Sequence, residues 1–189
     1  MQFNSYPNLN IGIYGGSFNP IHFGHVGLAK WVTEHTDLDE LWILVSPNNP
    51  LKDRHILADE QVRLEQVRHA VADIPHVKVS DFEFHLPRPS YTANTLRALS
   101  RAYPDDVFTL IIGEDNLAIF DHWRDWEYIL SHYRLFVYPR HNTQCTMESI
   151  IGRLTTTARQ TGEPVKGIVF LKDAPYFDIS STEIRNARI

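Results

Sequence analysis

Six apolar runs of strand length, few of which alternate with polar residues, constrain this chain more than any other feature. They are "IGIYG" (11–15), "ELWILVSP" (40–47), "VKVSDFEF" (77–84), "VFTLIIG" (107–113), "RLFVYPR" (134–140) and "GIVFL" (167–171). A strand with one face in water alternates; a run of Val, Ile, Leu and Phe without alternation reads as a strand buried on both faces, as in a parallel sheet covered by helices. Helical patterns fill the intervals at 25–35, 57–72, 92–103, 124–133 and 147–160. In 57–72, Leu64, Val67 and Val71 share a face, and Asp59 and Arg63 stand at the i,i+4 spacing expected of a salt-bridged outer face. The β-α-β-α order predicts an α/β fold, a doubly wound and mostly parallel sheet flanked by helices. In such sheets ligands sit beyond the carboxyl ends of the strands where the strand order reverses, so functional residues are expected just after strands.

At 189 residues the chain reads as one domain, 1–189, long enough to hide roughly 70% of its unfolded surface. A net charge of −5 provides no global basic field and argues against a nucleic-acid polymer as partner. Any anion must be held by a local cluster of donors. Cys145 is the sole cysteine, which excludes an intrachain disulfide and fits a reducing cytoplasm. The opening "MQFNSYPNLN" does not read as a secretory signal, and no apolar run approaches the ~20 residues that span a bilayer. The polar stretch 141–146, "HNTQCT", reads as a loop. Homo-oligomerisation is left open.

The first strand runs into "GGSFNPIHFGH" (15–25). Gly15 and Gly16 permit positive φ and close approach of backbone to ligand. Ser17, Phe18 and Asn19 follow with exposed backbone N–H groups, and Pro20 stiffens the turn. A helix starting near His22 or Gly24 points its positive end into the same space. His22 and His25, three apart, share a face if the turn is already helical. Backbone donors, a helix end and two imidazoles suit a phosphate ester that gains charge in a transition state. The stretch is neither a G-x-G-x-x-G fingerprint nor a P-loop. H-x-x-H alone also fits a Gly-Gly turn with two incidental histidines. Zinc is disfavoured, since no Cys or carboxylate stands near at ligand spacing.

Two further segments are candidate phosphate sites. In "DISSTEIRNAR" (178–188), Ser180 and Glu183 fit a capping box, and Ser181, Thr182 and Arg185 cluster in the first turn of the helix it opens. On spacing alone this is equally a capped surface helix. In "SPNNPLK" (46–52), Lys52 could reach a phosphate from a loop, or be solvated like most lone lysines.

"GGSFNPIHFGH" resembles the G-[TS]-F-[DN]-P-x-H-x-G-H signature of the nucleotidyltransferase superfamily, and "ISSTEIR" matches its I-S-S-T-x-I-R motif. The resemblance implies a Rossmann-like sheet and transfer of a nucleotidyl group from a nucleoside triphosphate to a phosphate acceptor. It implies that His22 and His25 stabilise the α-phosphoryl transition state as charged or hydrogen-bonding groups, with Lys52 and Arg185 beside them. Gly15, Gly16, Ser17, Phe18, Gly24 and Gly113 would contact ATP, and Ser181, Thr182 and Arg185 would hold its β- and γ-phosphates. Mg²⁺ would arrive with ATP and take no ligand from the protein. Positioning and electrostatics carry most of such catalysis.

"SYTANTL" (90–96) and "GEDNLAIFDHWRDW" (113–126) resemble the nicotinate-nucleotide adenylyltransferase family, which has S-Y-T-x-D-T-L and G-x-D-x-L followed by Trp. That likeness implies nicotinate mononucleotide as acceptor, bound by Asn19, Tyr91, Thr92, Asp115, Trp123 and Arg140, with deamido-NAD and pyrophosphate as products. The residues agree: Trp123 offers an aromatic face, amides near Thr92 and after Trp123 are neutral carboxylate donors, and Asp115 ends a strand where it can bond ribose hydroxyls. Trp126 and Tyr128 are expected in the core. Three departures stand out. Asn94 replaces the motif's Asp, the family's P-P-H-K loop reads Asn49-Pro50-Leu51-Lys52, and the sequence ends directly after the second motif, where relatives continue about one helix further. Rival readings are nicotinamide mononucleotide or phosphopantetheine as acceptor, and a nucleotide-binding module without catalysis.

Overall fold

The computed structural model describes residues 8–47, 58–140, 147–161, 165–177 and 179–186. Lys52, the 48–55 loop, Cys145 and the 141–146 stretch lie outside them. Six strands form one sheet: β1 (Asn10–Gly16), β2 (Glu40–Val45), β3 (Val77–Ser80), β4 (Val107–Gly113), β5 (Arg134–Tyr138) and β6 (Ile168–Phe170). The order is β3-β2-β1-β4-β5-β6, and every pairing is parallel. The order reverses between β1 and β4, the expected doubly wound, Rossmann-like arrangement.

The non-alternating strands are buried on both faces. Ile11, Ile13, Leu44, Leu110, Ile112 and Leu135 pack into one core. Tyr14, Leu41, Ile43, Val45, Ile111 and Phe136 pack into the other. The first is covered by α3 (Thr92–Ala102), α5 (Trp126–His132) and α6 (Met147–Thr161), and the second by α1 (Phe23–His35) and α2 (Glu60–Ala70). Gly12 lets β1 run through the second core: a Cβ there would stand 2.6 Å from Leu38 Cδ1 and 2.9 Å from Ile111 Cδ1. The short α4 (Glu114–Ala118) follows β4, and α7 (Ser181–Asn186) closes the described chain. Among the described residues no helix is long and apolar enough to cross a membrane.

Two expectations are corrected. The 77–84 strand stops at Ser80, whose Oγ accepts from the Phe82 N–H, and Phe82–His85 is a 3-10 turn. Arg63 is not on a salt-bridged outer face. It is 1% exposed, on the buried face with Leu64 and Val67. Asp59 is the α2 N-cap, its carboxylate accepting from the Gln61 and Val62 N–H groups, so it is spent on the helix end. Trp126 is in the core and Tyr128 packs against it, as expected. Asn94 is exposed on α3, beside Arg97 at 3.4 Å.

Candidate active site at the sheet switch point

The turn from β1 to α1 is built around a buried Phe18. Its ring folds back on Gly16, where a Cβ would stand 3.1 Å from Phe18 Cζ, and its backbone takes φ 43°, the left-handed region costly for L-residues. His22 is the N-cap of α1 and His25 lies in its first turn. The His22 backbone N–H donates to His25 Nδ1 at 3.2 Å. With Nδ1 accepting, a neutral His25 carries its proton on Nε2. The two rings stack with centroids 3.7 Å apart, so the helix turn does bring both imidazoles to one place. Both His22 ring nitrogens are buried without a hydrogen-bond partner. Burial, reinforced by Arg140, lowers the His22 pKa to about 4, so its imidazole is neutral at pH 7.

The second motif is strapped onto this turn. Phe177 lies against α1 where Gly24 and Gly27, three apart, leave no side chains; a Cβ at Gly24 would meet Phe177 Cβ and Ile179 Cγ2 at 3.0 Å. The Ser180–Glu183 capping box forms as expected, with Glu183 N–H donating to Ser180 Oγ at 3.2 Å and Ser180 N–H to Glu183 Oε2 at 2.7 Å. Ser181 Oγ donates to the Pro20 carbonyl at 2.9 Å. Arg185 donates to the Asn19 carbonyl and, at 3.0 Å, to Thr182 Oγ1. These contacts join segments more than 160 residues apart in sequence.

Across the switch point, Gly113 ends β4. A Cβ there would displace Asp115 Oδ1 and stand 3.1 Å from Arg140 Cγ, so glycine leaves room where those side chains converge, their charged atoms 3.8 Å apart. Trp123 packs on Phe120, ring centroids 5.1 Å apart, with its Nε1–H buried and unpartnered. Tyr91 is the N-cap of α3 but supplies no side-chain acceptor to its first turn. Arg124 lies over the Tyr91 ring at 4.9 Å. At the floor, Glu83 is 6% exposed and accepts from Thr95 Oγ1 at 2.8 Å. Burial raises its carboxyl above the usual range.

A cavity of about 690 Å³ collects these groups at the carboxyl ends of the central strands. Gly15, Gly16, Ser17, Phe18, His22 and His25 line one side, and Ser181 and Thr182 close over them. Tyr91, Thr92, Gly113, Asp115 and Trp123 line the cavity as well, together with Arg140, which stands near enough to His22 to act on its charge. Three expected residues stand behind the wall. Asn19 is 6% exposed with its Oδ1 accepting from Ala58 N–H, Gly24 seats Phe177, and Arg185 braces the Asn19 carbonyl. Sequence reasoning missed Glu83, Thr95 and the Tyr14–Tyr138 pair of the cavity lining, and Phe177 behind it. Thr95 lies inside the quoted "SYTANTL"; nothing in the local pattern marks Glu83 or Phe177. Among the described residues no group of three or more His, Cys, Asp or Glu is gathered to hold a metal.

Comparison with known proteins shows the family and the fold. Residues 13–187 match the cytidylyltransferase-like family model. A Bacteroides fragilis protein named "Probable nicotinate-nucleotide adenylyltransferase" is 43% identical over 93% of this chain and 80% of its own length. A Cytophaga hutchinsonii protein of the same name is 44% identical over 94% and 85%. In fold, the chain is similar to Plasmodium falciparum nicotinic acid mononucleotide adenylyltransferase complexed with NaAD, with a TM-score of 0.75 and 19% identity over 95% of this chain and 83% of that one. The chain belongs to the cytidylyltransferase-like family and, within it, to the nicotinate-nucleotide adenylyltransferases.

Proposed function

We propose that this protein transfers the adenylyl group of MgATP to nicotinate mononucleotide, giving deamido-NAD and pyrophosphate. One observation carries the reading. A single cavity runs from the stacked His22 and His25, roofed by Ser181 and Thr182, to Tyr91, Thr92 and Trp123, so two nucleotides meet end to end at the sheet switch point. The ~690 Å³ lies within the usual range for small-molecule sites.

The acceptor's 5′-phosphate oxygen, already anionic, attacks the α-phosphorus in line. A P–O bond forms as the bond to the β-phosphate oxygen breaks, and pyrophosphate leaves with its electron pair. No protein nucleophile or base is required. His25 offers Nε2–H and His22 its ring donor to the charge that builds on the α-phosphoryl oxygens. His22 is neutral before the nucleotide binds, and the incoming triphosphate favours its protonation. Ser181 and Thr182 hold the β- and γ-phosphates, Arg185 supports them from behind through Thr182 Oγ1 and the Asn19 carbonyl, and Lys52 contributes to the same phosphates. Mg²⁺ enters as part of the nucleotide and offsets the charge of the triphosphate. Trp123 stacks on the pyridine ring, the uncapped first turn of α3 at Thr92 meets the carboxylate, and Asp115 takes ribose hydroxyls. A lone cysteine in the chain suits a cytoplasmic enzyme.

A pyrophosphate-release assay with ATP and Mg²⁺, run in parallel on nicotinate and nicotinamide mononucleotides, tests the reading. Preference for nicotinate by tenfold or more is expected. Equal rates would transfer the assignment to a dual-acceptor enzyme, and no release with either would refute it.

A further inference from the structure

The group that the mechanism leaves unused is the buried guanidinium of Arg63. Among the described residues its four hydrogen bonds all go to main-chain carbonyls. Nη1 donates to Ser17 O at 2.6 Å and Ser46 O at 2.8 Å, Nη2 to Pro47 O at 3.2 Å, and Nε to Ala58 O at 3.0 Å. Among the described residues no carboxylate forms an ion pair with it. A buried cation is costly unless its donors are satisfied, and here the loops themselves satisfy it.

The three segments it joins are the turn after β1, the end of β2 and the entry to α2. Ser17 and Ser46 line the cavity, whereas Arg63 is sealed behind them. The Ser17–Phe18 peptide is trans, so its C=O and N–H point in opposite directions. With the Ser17 carbonyl drawn back onto Arg63, the Phe18 N–H points away from that guanidinium, and both Ser17 and Phe18 line the cavity. The same peptide precedes the left-handed φ of Phe18, a conformation that holds only where its surroundings over-determine it.

We propose that Arg63 is a positioning residue: by gathering the Ser17, Ser46, Pro47 and Ala58 carbonyls it turns the Phe18 N–H toward the nucleotide phosphates and registers the turn after β1 against the end of β2 and the entry to α2. It touches no substrate. The proposal deepens the reading of this cavity as an ATP site and does not depend on which acceptor is used.

Arg63→Lys keeps the charge but has one nitrogen where four carbonyls need a fork. Its kcat/KM for ATP should fall tenfold or more at a temperature where circular dichroism shows native structure. The loss should lie mainly in KM for ATP, with KM for nicotinate mononucleotide within threefold. A folded Arg63→Lys with kcat/KM for ATP within twofold of the parent overturns the proposal. A second measurement needs no variant. In the intact protein, hydrogen exchange of the Phe18 amide should slow at least tenfold when α,β-methylene-ATP is added, and an unchanged rate also overturns it. If the parent turned out inactive toward nicotinate mononucleotide while Phe18 was still protected by the ATP analogue, the acceptor assignment would fail and the role of Arg63 would stand.

Discussion

Gly27→Ala separates the stability of this fold from the assembly of its site. The added Cβ would stand 2.9 Å from both Phe177 Cε atoms and nearer still to Cζ, so the ring must leave its seat rather than give by a few tenths of an ångström. Two opposing terms follow. Alanine in a helix interior is favoured over glycine by about 1 kcal/mol. Displacing Phe177, which is only partly buried, forfeits about 1–2 kcal/mol of the 1.5–3 kcal/mol for a fully buried side chain. The net change in folding free energy is thus within about 1 kcal/mol, and the melting temperature should barely move. Binding has no such offset. Phe177 anchors the strap that brings Ser181 and Thr182 over the cavity and Arg185 to the Asn19 carbonyl. Loosening it should raise KM for ATP about tenfold, equivalent to ~1.4 kcal/mol, with KM for nicotinate mononucleotide nearly unchanged. Pyrophosphate-release kinetics with each substrate varied, together with a thermal melt, read both quantities. Phe177→Ala should give the same KM shift, and the double variant should be no worse than Phe177→Ala alone. An unchanged KM for ATP in Gly27→Ala, or fully additive effects in the double variant, would refute the reasoning.

Two further outcomes are expected. Because the folded pKa of His22 is lowered to about 4, the unfolded chain binds its proton first as pH falls; the stability this group contributes is present above pH 6.5 and is lost between pH 6.5 and 4. Glu83, raised by burial, acts in the opposite sense as it takes up its proton, so the check is a difference: between pH 7 and pH 5 the parent should lose more thermal stability than His22→Asn. Trp123→Ala should raise KM for nicotinate mononucleotide tenfold or more, about 1.4 kcal/mol or above, and leave KM for ATP within twofold; steady-state kinetics with each substrate varied will show whether the aromatic face serves the acceptor alone.

Local chemistry written in consecutive residues was legible before any coordinates. The non-alternating runs announced a two-sided parallel sheet, because burial on both faces removes the polar half of the period. His22 and His25, and the Ser180–Glu183 pair, are sites whose partners lie within one turn of chain, so spacing alone put the two imidazoles on one face and foretold a reciprocal cap, whereas Ser181 found its partner, the Pro20 carbonyl, only through the fold. Arg63 shows where this stops. It stands four residues before Val67 on the buried face, yet a polar side chain in a helix reads as solvent-facing, and only the folded loops supply the carbonyls that make its burial tolerable. Glu83 has the same history: its Thr95 partner lies across a turn, and its depth is set by the packing of α3. Gly27 and Phe177 face each other across 150 residues of chain, and the glycine has meaning only once the ring is there. Sequence by itself determined the strand-helix order, the Ser180–Glu183 cap and the motif residues, because these rest on neighbours at fixed covalent spacing. The tertiary structure alone decided which polar groups are buried and which segment seats the second motif, because those depend on partners that folding brings from far along the chain.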